Sequence, residues 1–184
     1  MAADRPDLFQ ELERVPDLAE RILEESQALG EEFGRRRDWH SVLFLGSGPL
    51  YGLAQEGALK MIEMGGTPAS AYHFLEVRHG PNAIIDSGTL VVGLLSQGGL
   101  RYELAVLRSL IQQQEATVIA LSPTNDPQPF RAHSFAFGLS DFTQGLAYLP
   151  ALQLLAYQRA VSRGIDPDRP PHLTPFVRLT PEGG

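Results

Sequence analysis

The chain contains no cysteine, so a disulfide framework, a thiolate nucleophile and a cysteine-ligated zinc are all excluded. Positive charge is scarce. Fifteen Lys and Arg against 22 Asp and Glu give a formal net charge of −7, a poor match for nucleic acid or an anionic membrane surface. No run approaches the ~18 consecutive apolar residues of a membrane-spanning helix. The opening Met1-Ala-Ala-Asp-Arg-Pro6 lacks the basic-then-apolar pattern of a secretory leader, and a cytoplasmic protein is expected. The five histidines, His40, His73, His79, His133 and His172, include no pair at helical ligand spacing, which argues against a His-based metal centre. Internal repeats and low-complexity linkers are also missing.

What is there is an ordinary globular composition, with 184 residues of which 43% are hydrophobic and 20% charged, enough for one domain with one core. Asp7 to Arg14 reads as a short helix, and Pro16 to about Arg37 as a longer one with Leu18, Ile22, Leu29 and Phe33 along one face. Residues 1–38 therefore form a helical arm, packed on the domain or on a partner. Ser41-Val-Leu-Phe-Leu45 is the continuous apolar run of a parallel strand covered on both faces. After Gly46-Ser-Gly48, Pro49 suits a first helical position. A helix through Glu63 then buries Leu50, Leu53, Ala54, Gly57, Ala58, Met61 and Ile62.

Further strands are expected at Ala69–Phe74, Thr89–Leu95 and Ala116–Leu121, with a short edge strand at Ser134–Phe137. Helices are expected at 100–114 and at Thr143–Arg163, the second leucine-rich enough to lie deep or in an interface. Residues 39–165 alternate strands with helices. They predict an α/β fold: a single doubly wound, mostly parallel sheet with helices on both faces. Residues 166–184 hold too many prolines for a helix and should run extended over the surface.

Three local patterns carry chemistry. A strand that ends in Gly46-Ser47-Gly48 and passes into a helix presents free amides and the positive end of a helix dipole, a candidate phosphate or carboxylate site. It is not a dinucleotide fingerprint, since Gly46, Gly48 and Gly52 do not fit G-x-G-x-x-G and no acidic residue ends the second strand. Glu56, Lys60 and Glu63, at steps of four and three, stack on one helix face; taken alone, such a stack is ordinarily a solvated ion-pair face. In Glu76-Val-Arg-His-Gly-Pro81, His79 sits before Gly-Pro, where backbone can hold it while it stays accessible.

Together, Leu43-Phe-Leu-Gly-Ser-Gly48, Glu56-Gly-Ala-Leu-Lys60, Glu63, Ala71-Tyr72, Glu76–Pro81 and Leu149-Pro-Ala-Leu-Gln-Leu-Leu-Ala-Tyr157 resemble the SIS (sugar isomerase) domain family. The likeness is to the second such domain in the isomerase module of glucosamine-6-phosphate synthase and in relatives that isomerise, deaminate or deglycate amino-sugar phosphates. The resemblance implies a flavodoxin-like sandwich and a cofactor-free phosphosugar isomerase or deglycase, with no metal. It implies Glu63 as the group that moves a proton between adjacent sugar carbons. His79 would open the sugar ring in a neighbouring subunit's pocket, with Lys60 and Glu56 orienting Glu63. The substrate-binding set is Ser47, Gly48, Lys60 and Glu76, and the partners are a sugar phosphate and either a second copy, as a homodimer, or a second SIS half.

Two departures stand out. The loop Ser96-Gln-Gly-Gly99 carries one hydroxyl where the family's first-type domain has a serine- and threonine-rich phosphate loop. Pro175 occupies the place of a tail lysine, and proline supplies no amine. A non-catalytic sugar-phosphate-binding module, or a purely structural partner half, are therefore the alternatives.

Overall fold

The computed structural model describes residues 6–171, 173 and 174, so the expectation placed on Pro175 and the last residues of the tail lies outside the described residues. Five parallel strands, β1 (Ser41–Gly46), β2 (Ala69–His73), β3 (Thr89–Leu94), β4 (Thr117–Ser122) and β5 (Arg131–Ser134), form one sheet in the order β2-β1-β3-β4-β5. Among the described residues four α-helices accompany it: α1 (Pro6–Leu29), α2 (Pro49–Glu63), α3 (Leu100–Gln114) and α4 (Asp141–Ser162). This is the doubly wound α/β sheet read from the alternation of strand and helix patterns. Its order reverses between β1 and β3, the switch point at which such sheets bind ligands beyond their carboxyl ends.

Side chains alternate between two cores, as the strand period of two demands. Val42, Phe44, Leu90, Val92, Ile119 and Leu121 face the layer of α1, α2 and α4. Leu43, Leu45, Val91, Val118 and Ala120 face α3 and the connection that contributes Phe74, Val77 and Ile85. All six residues of β3 are buried, so its unbroken apolar run is the mark of a central strand. α4 lies between α1 and α2, burying Ala147, Tyr148, Ala151, Leu152, Leu155 and Ala156; of its leucines, Leu152 and Leu155 lie deep as expected, whereas Leu146 is exposed and Leu149 and Leu154 are half-buried.

Three sequence readings change. The two N-terminal helices are one: α1 runs through Pro16 and ends in a π-helical turn, Gly30–Gly34. The carbonyl left without a partner by Pro16 belongs to Leu12, an exposed residue, where water can serve it. Tertiary contacts grip the helix on both sides of the proline. Glu11 accepts from Ser140 N at 3.0 Å and from the Thr143 hydroxyl, Arg14 donates to the Phe137 carbonyl at 2.8 Å, and Arg21 lies 5.0 Å over the Phe137 ring.

The edge strand is the second change. It comprises Arg131–Ser134, paired from Ile119↔Arg131 to Ser122↔Ser134, rather than Ser134–Phe137. Phe135 and Phe137 leave the sheet for the helix layer, where Phe135 meets Tyr148 edge-on at 5.4 Å. Third, Ile62 faces outward at 51% exposure, next to an exposed Leu59; Met61 takes the buried place at that level of α2.

Candidate functional site

The residues singled out in the sequence fall into three places. Ser47 and Gly48 lie at the carboxyl ends of the strands, beside the switch point, on the wall of a cavity of about 290 Å³ that also takes in His73, Ser96, Glu103 and Asp141. Gly48 adopts φ +52°, a left-handed conformation that turns the chain from β1 into α2 and suits glycine. The N-termini of α2, α3 and α4 meet here, which ought to make a strong anion site.

The loop after β3 is nevertheless closed by the protein itself. Ser96 N–H donates to Glu103 Oε2 at 2.7 Å, Gln97 N–H to Asp141 Oδ1 at 2.7 Å, Gly98 N–H to Asp141 Oδ2 at 3.3 Å and Gly99 N–H to the Ser96 hydroxyl at 2.9 Å. All four amides of residues 96–99 are taken, and the Ser96 hydroxyl donates in turn to Glu103 Oε1 at 2.8 Å. Glu103 is 1% exposed. Burial raises its pKa above the usual carboxylate value, while hydrogen bonds from Ser96 and Ser47 pull it the other way. Two carboxylates thus stand where an external anion would sit.

Lys60 and Glu63 occupy the opposite end of α2. Fifteen residues of helix at about 1.5 Å each separate them from Gly48 by roughly 20 Å, at the amino-terminal edge of the sheet. Lys60 Nζ donates to Glu63 Oε2 at 3.0 Å and lies 3.6 Å from Glu56 Oε1, so the three charges stack as their spacing required. The bond to Glu63 raises the Lys60 pKa, and Lys60, the chain's single lysine, is an ammonium at neutral pH. Lys60 and Glu63 line a cavity of about 690 Å³ whose other wall is the tail, including Asp168, Arg169 and Leu173. The pair is partly exposed, as a solvated ion-pair face would be, and it also lines this open cavity.

His79 and Glu76 lie on the exposed 3₁₀ turn Glu76–His79 and line neither cavity. Within one chain the structure does not bring His79 to Glu63.

Glu103 and Asp141 were missed in the sequence. Asp141 directly follows the Ser140 N-cap, and Glu103 falls seven residues after Ser96 in the first turn of α3, positions where carboxylates are ordinary dipole partners. Nothing local told that they would close one loop.

A family model described as the SIS domain matches residues 37–129. The chain is 33% identical over 182 residues to the isomerizing glutamine–fructose-6-phosphate aminotransferase of Methanothermobacter thermautotrophicus, a match covering 97% of this chain and 31% of that protein. Its structure is similar to glucosamine-6-phosphate deaminase from Thermotoga maritima, with a TM-score of 0.77 and 29% identity over 92% of this chain and 50% of the other. It is also similar to tagatose-6-phosphate ketose/aldose isomerase from Escherichia coli, with a TM-score of 0.74 and 28% identity over 91% and 47%. The chain thus spans under a third of the length of that aminotransferase and about half of each solved chain. The matched residues run from ahead of β1 to beyond β4 and include the switch point and the whole of α2; the chain belongs to the SIS domain family.

Proposed function

We propose that this chain is a phosphosugar-handling module that transfers a proton between adjacent carbons of a keto- or amino-sugar phosphate, as an isomerase or deglycase. The observation that carries this reading is Glu63, a carboxylate held by Lys60 at 3.0 Å on the wall of an open cavity of about 690 Å³. A base that removes the proton alpha to a carbonyl leaves an enediolate, and the same carboxylic acid returns the proton to the neighbouring carbon. The chemistry asks for no cofactor. Lys60 is protonated and no second lysine exists, so the route runs through an enediol rather than an imine on a lysine of this chain.

Ring opening calls for a further acid–base group, a role imidazoles fill, and His79 is proposed for it. Because His79 lies outside the Glu63 cavity of its own chain, it would act on a neighbour. Ser47, Gly48 and Glu76 are likewise proposed as contacts made across a subunit boundary. The active assembly is therefore a dimer of this chain or its pairing with a second SIS half.

A second reading, a sugar-phosphate-binding module without turnover, is favoured by the loop 96–99, whose amides are all engaged. One experiment separates the two. Wild type and Glu63→Gln are titrated with fructose 6-phosphate, glucosamine 6-phosphate and related sugar phosphates while turnover is followed. Isomerase or deglycase action predicts a loss of about 10²–10⁴ in kcat for Glu63→Gln with binding retained. Binding without turnover by wild type selects the second reading. No binding of any sugar phosphate overturns both.

A further inference from the structure

Three arginines line one cavity of about 310 Å³ at the amino-terminal edge of the sheet: Arg37, ahead of β1, and Arg159 and Arg163, at the end of α4. We infer that Arg37, Arg159 and Arg163 form a site for a phosphate group, distinct from the cavity of Glu63. The two cavities share no lining residue.

Each guanidinium is held in place by backbone. Arg159 is 6% exposed; its Nε donates to the Thr67 hydroxyl at 3.1 Å, Nη1 to the Arg36 carbonyl at 2.7 Å and Nη2 to the Trp39 carbonyl at 3.0 Å. Arg37 Nη2 donates to the Ser162 carbonyl at 3.0 Å. Arg163 reaches the Gly65 and Gly66 carbonyls and the Thr67 hydroxyl through Nη1 alone.

A guanidinium carries five N–H donors. The bonds described leave four on Arg37, and Nε and Nη2 on Arg163, unspent toward described residues. Carbonyl acceptors orient these groups without neutralising them. Among the described residues no carboxylate lines the cavity, and Asp38, which acts on Arg159 from a distance, is bonded to Arg36. Three cations at one cavity repel one another: after burial, the charges of Arg163 and Arg37 lower the Arg159 pKa more than Asp38 raises it.

The geometry selects the anion. The several unspent donors of Arg37 and Arg163 suit a tetrahedral oxyanion better than a planar carboxylate, and arginine is the side chain whose bidentate fork matches phosphate oxygens. Arg159 forms the buried floor, while Arg37 and Arg163 are exposed and form the mouth, so a ligand enters from solvent. Free phosphate and the phosphate of a small phosphomonoester present the same chemistry, and the test distinguishes them.

The full chain is titrated by calorimetry with inorganic phosphate, with glycerol phosphate and with glycerol. The arginine side-chain N–H signals are followed by NMR. Inorganic phosphate is expected to bind and to shift arginine signals, and Arg37→Gln and Arg163→Gln are each expected to weaken it by about tenfold, one charge-assisted bond's worth. Both variants leave the buried Arg159 in place, and circular dichroism checks that they fold. Tighter binding of glycerol phosphate than of inorganic phosphate assigns the site to phosphomonoesters, and the reverse to free phosphate; both support it. Glu63→Gln is expected to bind phosphate as wild type does, whatever becomes of turnover, so the result is independent of the isomerase reading. Absence of phosphate binding at millimolar concentration, binding unchanged in both arginine variants, or a loss in Glu63→Gln comparable to theirs overturns the assignment.

Discussion

Asp141 spans the loop after β3 with both carboxylate oxygens, Oδ1 accepting from Gln97 N–H at 2.7 Å and Oδ2 from Gly98 N–H at 3.3 Å. The carboxylate lies at the start of α4 and acts as a built-in anion for amides that belong to another element, 44 and 43 residues away. Asp141→Ala takes away both acceptors. Water reaches this part of the loop, so the cost stays near 1 kcal/mol, read as a lowered urea midpoint. The freed amides at 97 and 98 should show accelerated hydrogen exchange. Asp141→Asn keeps one acceptor and should lie between Ala and wild type. Equal protection at 97 and 98 in all three proteins would show that Asp141 does not hold the loop.

Glu103, the other carboxylate on that loop, predicts a pH dependence. Burial lifts its folded pKa above the ordinary 4.5. Between that ordinary value, which the unfolded chain keeps, and the raised folded value, the native state binds the extra proton. Stability from this group is therefore complete below pH 4.5 and falls as pH rises through the window above it. Glu103→Gln cannot titrate. The unfolding free energy of wild type minus that of the variant should decrease as pH goes from 4.5 toward about 7, in urea titrations at matched ionic strength. A difference that grows with pH would contradict the burial argument.

How much of this was legible before the structure depends on how far each signal reaches along the chain. The apolar run Ser41–Leu45 and the α2 pattern are local, and both elements stand where the residues put them. The stack of Glu56, Lys60 and Glu63 follows from helical spacing alone, and the 3.0 and 3.6 Å contacts realise it. Phe135 and Phe137 misled because alternation of aromatics reads as a strand, whereas here it marks a chain diving under α4 to meet Tyr148. Pro16 misled for the opposite reason. A local helix breaker was overruled by contacts from residues 137, 140 and 143, more than 120 positions away. The closure of the loop 96–99 and the three-arginine cavity are products of the fold, assembled from residues no window of sequence holds together.

Gly46 fixes the position of Ser47 through the closeness of β1 to α2. A Cβ at Gly46 would lie 2.3 Å from the Leu50 carbonyl oxygen and 2.6 Å from its carbon. Both are backbone atoms of the first turn of α2 and cannot swing away as a side chain would. Gly46→Ala must push the helix start off the strand end, an overpacking cost of about 3 kcal/mol, seen as a lower thermal midpoint. Gly52→Ala is the control, since nothing lies within 4 Å of its added Cβ and an alanine in a helix is favoured over glycine by about 1 kcal/mol. A Gly46→Ala protein as stable as wild type would mean that strand and helix are not locked together at this turn.

Arg159 offers a direct optical test of how the amino-terminal edge is held. Its guanidinium lies 3.7 Å from the centroid of Trp39, the only tryptophan in the chain, and bonds to Thr67, Arg36 and Trp39 tie α4 to the loops before β1 and β2. Burial, then the charges of Arg163 and Arg37, lower its pKa, yet a guanidinium remains protonated at any pH a protein survives. Arg159→Met keeps length and loses the fork, leaving the Arg36 and Trp39 carbonyls without this donor and removing the cation from the indole face, while the Thr67 hydroxyl keeps its bond from Arg163. The sum is about 3 kcal/mol, with a change in Trp39 emission in the folded protein. Arg159→Lys keeps the charge, but one ammonium on a flexible stem cannot reproduce the three bonds in this geometry, and it should lose most of the same stability. If Arg159→Lys matches wild type in both midpoint and emission, charge alone holds this edge and the fork geometry is irrelevant; if it falls with Arg159→Met, the planar fork is what fastens α4 to Trp39.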